Sequence, residues 1–374
     1  LKIGIHKETT ESEKRVALTP EGVTKLSKEN HSILVETGAG LLSSYPDEVY
    51  KEAGAEIVKD KATIFTDSDL IISFNFPDDS YIKKMKEGAA LICFIWPLQN
   101  PDRVELLKKQ KVTALSMDAI PRISRAQVMD ALSSMSNIAG YKSVLIGANE
   151  LDRYLPMMMT AAGTIPPAKV MVLGAGVAGL QAIATAKRLG AVVEAYDIRP
   201  AVKEQVESLG AKFIEVPTEE DLETEGGYAK EASERHQKKQ KEVTHQHVKK
   251  SDIVITTALI PGKKAPVLIT KDMVEDMSPG SVIVDLAAEQ GGNCEVTKAD
   301  KIVDYNGVKV IGPLNLTSSL AYHASKLYSK NILSLLSILI DEGNLAINFD
   351  DEIILNTTIT HSGEIIAPML KEND

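Results

Sequence analysis

Cysteine is nearly missing from this chain: its 374 residues hold two, Cys93 inside the apolar run Leu91-Ile92-Cys93-Phe94-Ile95-Trp96 and Cys294 inside Gly291-Gly292-Asn293-Cys294. Two thiols so placed make neither a disulfide framework nor a zinc site, no metal is expected, and a reducing compartment is the expected home. Long apolar runs are missing too. The longest candidate, Ile332 to Ile340, is broken by serines and follows Lys326 and Lys330, well short of the roughly 18 residues of a membrane span, so no direct membrane insertion by this segment is expected. Positive charge is in deficit, with 42 Lys and Arg against 52 Asp and Glu and a formal net charge of -10. That balance repels phosphate backbones and anionic headgroups and argues against nucleic acid as the main ligand. There is no low-complexity tract. Neither an initiator Met nor a signal peptide precedes Lys2-Ile3-Gly4-Ile5, and the chain is expected to be a piece of something longer.

What is present is ordinary globular material, 44% hydrophobic and 25% charged, in a length that suggests two domains. Apolar β-rich runs at Ile3 to Ile5, Ile33 to Val35, Leu70 to Ile72, Leu91 to Ile95 and Val112 to Leu115 read as buried parallel strands. Between them, Thr19 to Lys28 reads as a helix with Thr19 as cap, Pro20 at its first position and Val23 and Leu26 on its apolar face. A second series follows Pro166-Pro167: Val170 to Leu173, Val192 to Tyr196, Lys212 to Ile214, Ile253 to Thr256, Val282 to Asp285 and Val308 to Ile311. The expected fold class is α/β, two Rossmann-like doubly wound parallel-sheet domains separated by a cleft. Long helices are expected over Arg125 to Ile146 and Leu320 to Ile340. The tail, with β-like runs Asn348 to Leu355 and Ile359 to Pro368 around Ser362-Gly363, is expected to return as a hairpin. The first domain is then discontinuous, 1–135 plus 325–374, and the second spans 136–324. Residues 217–250 exceed any simple connection and carry Gly226-Gly227-Tyr228; a functional or mobile loop is expected near 217–235.

The most informative motif is Gly174-Ala175-Gly176-Val177-Ala178-Gly179, which follows the strand-like Lys169 to Leu173 and opens a helix-patterned stretch. In that context Gly174 permits the tight turn, Gly176 the approach of a pyrophosphate and Gly179 close packing of helix on sheet. The helix N-terminus then holds the phosphate charge. The next strand ends at Asp197, about 20 residues beyond the first glycine, where a carboxylate grips the adenosine ribose, with Ile198 and Arg199 beside it. An acid there favours NAD over NADP; Arg199 tempers that preference. Without a ligand the same residues are a glycine-rich turn. Thr257, Ala258 and Leu259, at the carboxyl end of the strand from Ile253, suit a wall for the nicotinamide half or simply a strand end.

Taken together with Pro121-Arg122-Ile123-Ser124-Arg125-Ala126-Gln127, Asp130-Ala131-Leu132-Ser133-Ser134, Thr160-Ala161-Ala162-Gly163 and Gly226-Gly227-Tyr228-Ala229-Lys230, the whole chain resembles the NAD(H)-binding soluble component of the proton-translocating NAD(P) transhydrogenases. The resemblance implies direct hydride transfer between NADH held here and NADP+ held on a separate NADP(H)-binding component, coupled to proton movement through a membrane-spanning component. It also implies a homodimer at the cytoplasmic or organelle-matrix face of a membrane; the segment 157–166, too apolar for an exposed loop, suits an interface hairpin or internal packing. It assigns Arg122, Gln127, Asp130 and Ser133 to the dihydronicotinamide. Their spacing by threes places Gln127, Asp130 and Ser133 on one helix face, which describes a solvated stripe equally well, and Arg122 suits a surface charge. It makes Tyr228 part of a lid hinged at Gly226 and Gly227, and gives Gln240 a place at the adenosine end. His245 and His247 point to different faces and read as exposed histidines rather than metal ligands.

Alanine dehydrogenases share Arg15-Val16-Ala17-Leu18-Thr19-Pro20 and the glycine fingerprint, but oxo-acid chemistry needs a cationic clamp and a histidine. Where that family carries lysine and histidine, this sequence has Asn75 and Trp96. Arg15 and Glu289 read as structural remnants. A non-catalytic NAD sensor is the third reading.

Overall fold

A computed structural model of the chain describes residues 1–10, 12–216, 234–259 and 264–371. It divides into two units, Leu1–Met135 with Thr317–Asp374, and Ser136–Leu316. The return to the first unit thus falls at Thr317 rather than at residue 325. Ser318 accounts for it: its Oγ accepts from Lys14 N at 2.7 Å and donates to Ser12 O at 2.9 Å, tying the chain to the first unit ahead of the helix Ala321–Leu339.

The first unit is built on an eight-stranded sheet, in the order Glu364–Ile365, Thr358–His361, Thr113–Ser116, Ala90–Cys93, Leu70–Ile72, Lys2–Ile5, Ser32–Glu36 and Ala55–Val58. All pairs are parallel except those made by the tail hairpin. Helices cover both faces, so strands such as Ala90–Cys93 are buried along their whole length and read as unbroken apolar runs. Ala55–Val58 was not expected as a strand, since an edge strand with Glu56 exposed carries too short a pattern. Helix Pro20–Lys28 starts where expected and buries Val23 and Leu26, but the Thr19 hydroxyl makes no cap. It donates instead to Ser329 Oγ of helix Ala321–Leu339.

Two helical expectations need correction. The stretch from Arg125 is not one helix: a 3-10 turn, Ser124–Met129, is followed by a break at Asp130 and then by helix Ala131–Glu150. Asp130 is extended (ψ 91°), and its carboxylate accepts from Ser133 N at 2.9 Å and from Ser133 Oγ. An aspartate bonding the amide three residues on is a helix start, which outcompetes helix continuation. The tail hairpin is Thr358–His361 with Glu364–Ile365, turning at Ser362 and Gly363 with positive φ. Residues 352–357 are helical instead of extended, because Asp351 accepts from Ile353 N and starts a short helix.

The second unit holds a seven-stranded sheet ordered Lys212–Phe213, Val192–Tyr196, Lys169–Leu173, Ile253–Thr256, Val282–Asp285, Val308–Ile311 and Ile302–Tyr305. It is parallel save for the last pair, a hairpin closed by Asn306 and Gly307. Strand order reverses between Lys169–Leu173 and Ile253–Thr256, so the crevice beyond their carboxyl ends is the expected ligand position for such a sheet. A separate hairpin, Met158–Thr160 with Gly163–Ile165, is exposed along both strands, with Met159 79% accessible. Among the described residues no helix is long and apolar enough to cross a membrane.

Candidate functional site

The glycine turn lies at that switch point. Gly174 adopts φ +100° and donates its N–H to Tyr196 O at 2.8 Å, and a Cβ on it would stand 2.5 Å from Thr257 Oγ1. At Gly179 a Cβ would lie 1.9 Å from Gly174 O, so the first turn of helix Val177–Arg188 packs directly on the turn that precedes it. Gly176 is different: nothing of the protein lies within 4 Å of where its Cβ would point. The fold has no need of a glycine there, while a phosphate approaching the amides at the helix start does. These residues fit a dinucleotide.

Asp197 is buried at the end of the adjacent strand. Its Oδ2 accepts from Ala175 N at 2.7 Å and from the Arg199 guanidinium at 2.8 Å, while Oδ1 accepts from Arg199 N and Nε, both at 2.9 Å. Ile198, half-buried, joins the two. The acid therefore fastens the glycine turn and also grips Arg199, the residue with the reach to favour a 2'-phosphate. Replacing Asp197 by Ser releases that guanidinium. We expect the variant to bind NADH on the order of ten-fold more weakly, from loss of charge-assisted hydrogen bonds, and to narrow or reverse the preference over NADPH. Parallel fluorescence titrations with both nucleotides check this; an unchanged affinity ratio refutes it.

The opposite wall is the end of strand Ile253–Thr256. Thr257 donates its N–H to Leu173 O at 2.9 Å and its hydroxyl to Gly174 O at 3.1 Å. Ala258 is half-buried and Leu259 is exposed. Ala258 is bonded through both its N–H and its carbonyl to the side chain of Asn293, a residue with no recognisable signal in the sequence. Gly227 and Tyr228, expected in the lid, lie outside the described residues. Gln240 is half-buried in helix Glu234–Val248. His245 and His247 are not the exposed histidines expected: His245 Nε2 meets Asp276 at 3.0 Å and His247 Nδ1 meets Glu194 at 2.6 Å. Two faces of the helix are thereby braced against neighbouring elements. Burial raises the Glu194 carboxyl, but the His247 hydrogen bond and charge outweigh it and hold the group below its ordinary range.

In the first unit, Asp130 and Ser133 come together as a hydrogen-bonded pair, Gln127 sits exposed on the preceding 3-10 turn, and Arg122 is exposed before it. A shared helix face does not unite them, since the helix begins only after Asp130. Asn331, also missed, donates to Val128 O at 2.9 Å and so fixes the turn bearing Gln127. Arg125 forms a two-pronged ion pair with Asp351 at 2.7 and 2.8 Å.

At the strand ends where an oxo-acid clamp would stand, the charges cancel internally. Arg15 donates Nε and a terminal nitrogen to the two Glu13 oxygens at 2.7 and 2.6 Å, reaches Thr317 Oγ1 with the other, and lies 3.6 Å above the Phe74 ring. Asn75 Nδ2 bridges Glu13 at 3.0 Å and Glu8 at 3.2 Å. Burial pushes the Glu8 carboxyl up to about 7, helped by the Glu13 charge and opposed by the Phe74 and Asn75 N–H groups. Trp96, at φ 54°, stacks on Phe94 with an interplanar angle of 11°. It offers no proton-transferring ring nitrogen.

A parallel sheet with a glycine turn at its switch point and a buried acid ending the next strand defines a dinucleotide-binding α/β oxidoreductase. The chain belongs to the alanine dehydrogenase/PNT family: the profile of that family's N-terminal domain matches residues 4–139, and that of its C-terminal domain residues 143–368. It is 50% identical to an NAD(P) transhydrogenase subunit alpha polypeptide of Rhodospirillum rubrum, over 99% of both chains. The solved structure of a transhydrogenase from Sinorhizobium meliloti matches with a TM-score of 0.88 at 45% identity, covering 98% of this chain and 100% of that one. Alanine dehydrogenase 2 of Staphylococcus aureus is more distant, 34% identical over 82% of this chain and 76% of its own.

Proposed function

We propose that this chain is the NAD(H)-binding component of a proton-translocating NAD(P) transhydrogenase, working with an NADP(H)-binding component and a membrane-spanning component. The observation that carries the reading is a contrast within one chain. The dinucleotide turn is complete, with Gly176 open to a ligand and Asp197 fastening the turn, whereas the arginine at the ancestral clamp is neutralised by Glu13.

Bound NADH supplies the hydride, which passes to NADP+ on the separate component. The chain's own residues bind and orient. The amides opening helix Val177–Arg188 hold the pyrophosphate, Asp197 the ribose of the adenosine end, and Gly174, Ala175 and Val177 the approach to it. Thr257, Ala258 and Leu259 bound the nicotinamide half. Arg122, Gln127, Asp130 and Ser133 steady the dihydronicotinamide, the Asp130–Ser133 bond leaving the carboxylate set to accept from a carboxamide. Gln240, half-buried on helix Glu234–Val248, lies at the adenosine end of the nucleotide. A hydride transfer needs no general acid or base, so rate depends on placing one nicotinamide against the other and excluding water. The exposed hairpin with Met158, Met159 and Ile165 is the homodimer contact, and the assembly faces the cytoplasm or an organelle matrix.

The purified chain is expected to bind NADH, to turn over no pyruvate with ammonia, and to reduce an NADP+ analogue only after an NADP-binding transhydrogenase component is added. Stopped-flow absorbance separates the cases. Pyruvate-dependent oxidation of NADH overturns the reading in favour of an amino-acid dehydrogenase, and NADH binding without transfer to a competent partner leaves a sensor.

A further inference from the structure

The wall at Thr257 and Ala258 is held from behind by two buried side chains that neither the glycine fingerprint nor the family resemblance assigns. Asp285, fully buried at the end of strand Val282–Asp285, accepts five hydrogen bonds. Its Oδ1 takes Thr256 Oγ1 at 2.9 Å and Ala287 N at 3.0 Å. Its Oδ2 takes Asn293 N at 2.8 Å, Cys294 N at 3.0 Å and Thr297 Oγ1 at 2.6 Å. Two successive left-handed glycines, Gly291 and Gly292, turn the chain so that these amides reach the carboxylate, and a Cβ on Gly292 would stand 2.8 Å from Asp285 Oδ2.

Asn293, seated in this way and itself fully buried, commits its whole amide to the wall. Oδ1 accepts from Ala258 N at 3.1 Å, and Nδ2 donates to Ala258 O at 2.9 Å and to Pro266 O at 2.8 Å. One side chain thus fixes both backbone groups of Ala258, and the neighbouring Thr257 carries the connection on to Gly174 O. The connection runs unbroken from Asp285 through Asn293 to the glycine turn. It ends on residues that are only half-buried, where water would satisfy the Ala258 N–H and carbonyl at little cost. A buried amide directed at such a rim fixes position rather than filling the core.

We propose that Asn293 is a positioning residue for NAD(H), seated by Asp285 and setting the distance between the Thr257–Ala258 wall and the glycine turn. The inference rests on the reading that NADH binds at that turn. Losing a two-bond clamp is expected to raise the dissociation constant on the order of ten-fold.

The test is titration of NADH fluorescence and anisotropy with the whole chain and with Asn293→Ala, beside thermal melts without nucleotide. A residue that served stability alone would lower the melting temperature and the number of binding sites while leaving the dissociation constant of the folded fraction unchanged; that result overturns the proposal. The expected result is full stoichiometry with weakened affinity. Should Asn293→Ala not fold, Thr257→Val keeps the side-chain shape and removes the hydroxyl bond to Gly174 O, and an unchanged dissociation constant there overturns the proposal equally. Failure of the unaltered chain to bind NADH refutes the underlying reading instead.

Discussion

Gly179→Ala is expected to remove measurable NADH binding, with a dissociation constant at least about 100-fold higher, and to lower the melting temperature by several degrees. The added carbon would stand 1.9 Å from Gly174 O and 2.8 Å from the carbonyl carbon, against backbone that no rotamer change relieves. The helix has little room to retreat. Helix Ala131–Glu150 passes so near its first turn that a Cβ on Gly140 would come within 2.0 Å of Ala178 O. The Thr257 hydroxyl bond to Gly174 O holds the turn itself in place. Overpacking between such supports costs about 1–3 kcal/mol or more, and any relaxation moves the helix amides that receive the pyrophosphate. Each 1.4 kcal/mol lost in binding is about ten-fold. Gly176→Ala is the control: its Cβ meets no protein atom within 4 Å, so it should weaken binding with the melting temperature unchanged. Fluorescence titration and unliganded melts on both variants read the difference. Undiminished affinity in Gly179→Ala would show that the nucleotide does not use this turn.

The regions of this chain that were legible in its sequence are those where one local rule dominates. Buried parallel strands announce themselves as apolar runs, and the glycine turn combines a strand, a spacing and a helix start that together leave few alternatives. The two helical misreadings share a cause, side chains that compete with the backbone. Asp130 and Asp351 both accept main-chain amides two or three residues on, and each starts a helix within a stretch whose apolar spacing suggested one continuous element. Strands Ala55–Val58 and Ile302–Tyr305, at sheet edges, lacked the pattern of two buried faces. At the candidate site, Asp197 was legible from its distance to Gly174, but its hold on Ala175 and Arg199 was not. Asp285 and Asn293 were illegible: a buried polar residue looks like any other polar residue until the backbone it bonds, far off in sequence, has been folded beside it.

Arg15→Leu is expected to destabilise the protein by about 3–5 kcal/mol at neutral pH, the typical cost of stranding one member of a buried ion pair. Glu13, its side chain 1% accessible, would lose the guanidinium from both carboxylate oxygens and keep the neutral donors Asn75 and the backbone N–H of residue 15. In the unaltered protein, burial pushes the Glu13 carboxyl up, but the Arg15 hydrogen bonds and charge pull it below the usual range. Its ionised form therefore contributes stability above the unfolded pKa near ~4.3, and that contribution is lost as pH falls through the lower folded value. In the variant the sign reverses: without the guanidinium, folded Glu13 takes up a proton more readily than unfolded Glu13, so the penalty grows as pH rises above ~4.3 and fades below it. Urea unfolding at pH 7 and pH 4.5 should show the gap between the two proteins narrowing at the acid end. Removing both charges, in Arg15→Leu with Glu13→Leu, should restore much of the loss, because a buried pair replaced by apolar groups is often near neutral. The same double variant separates ancestry from activity. If Arg15 is a remnant, hydride transfer to NADP+ with the partner component persists in the refolded double variant; loss of transfer with NADH binding intact would put Arg15 among the groups the reaction uses.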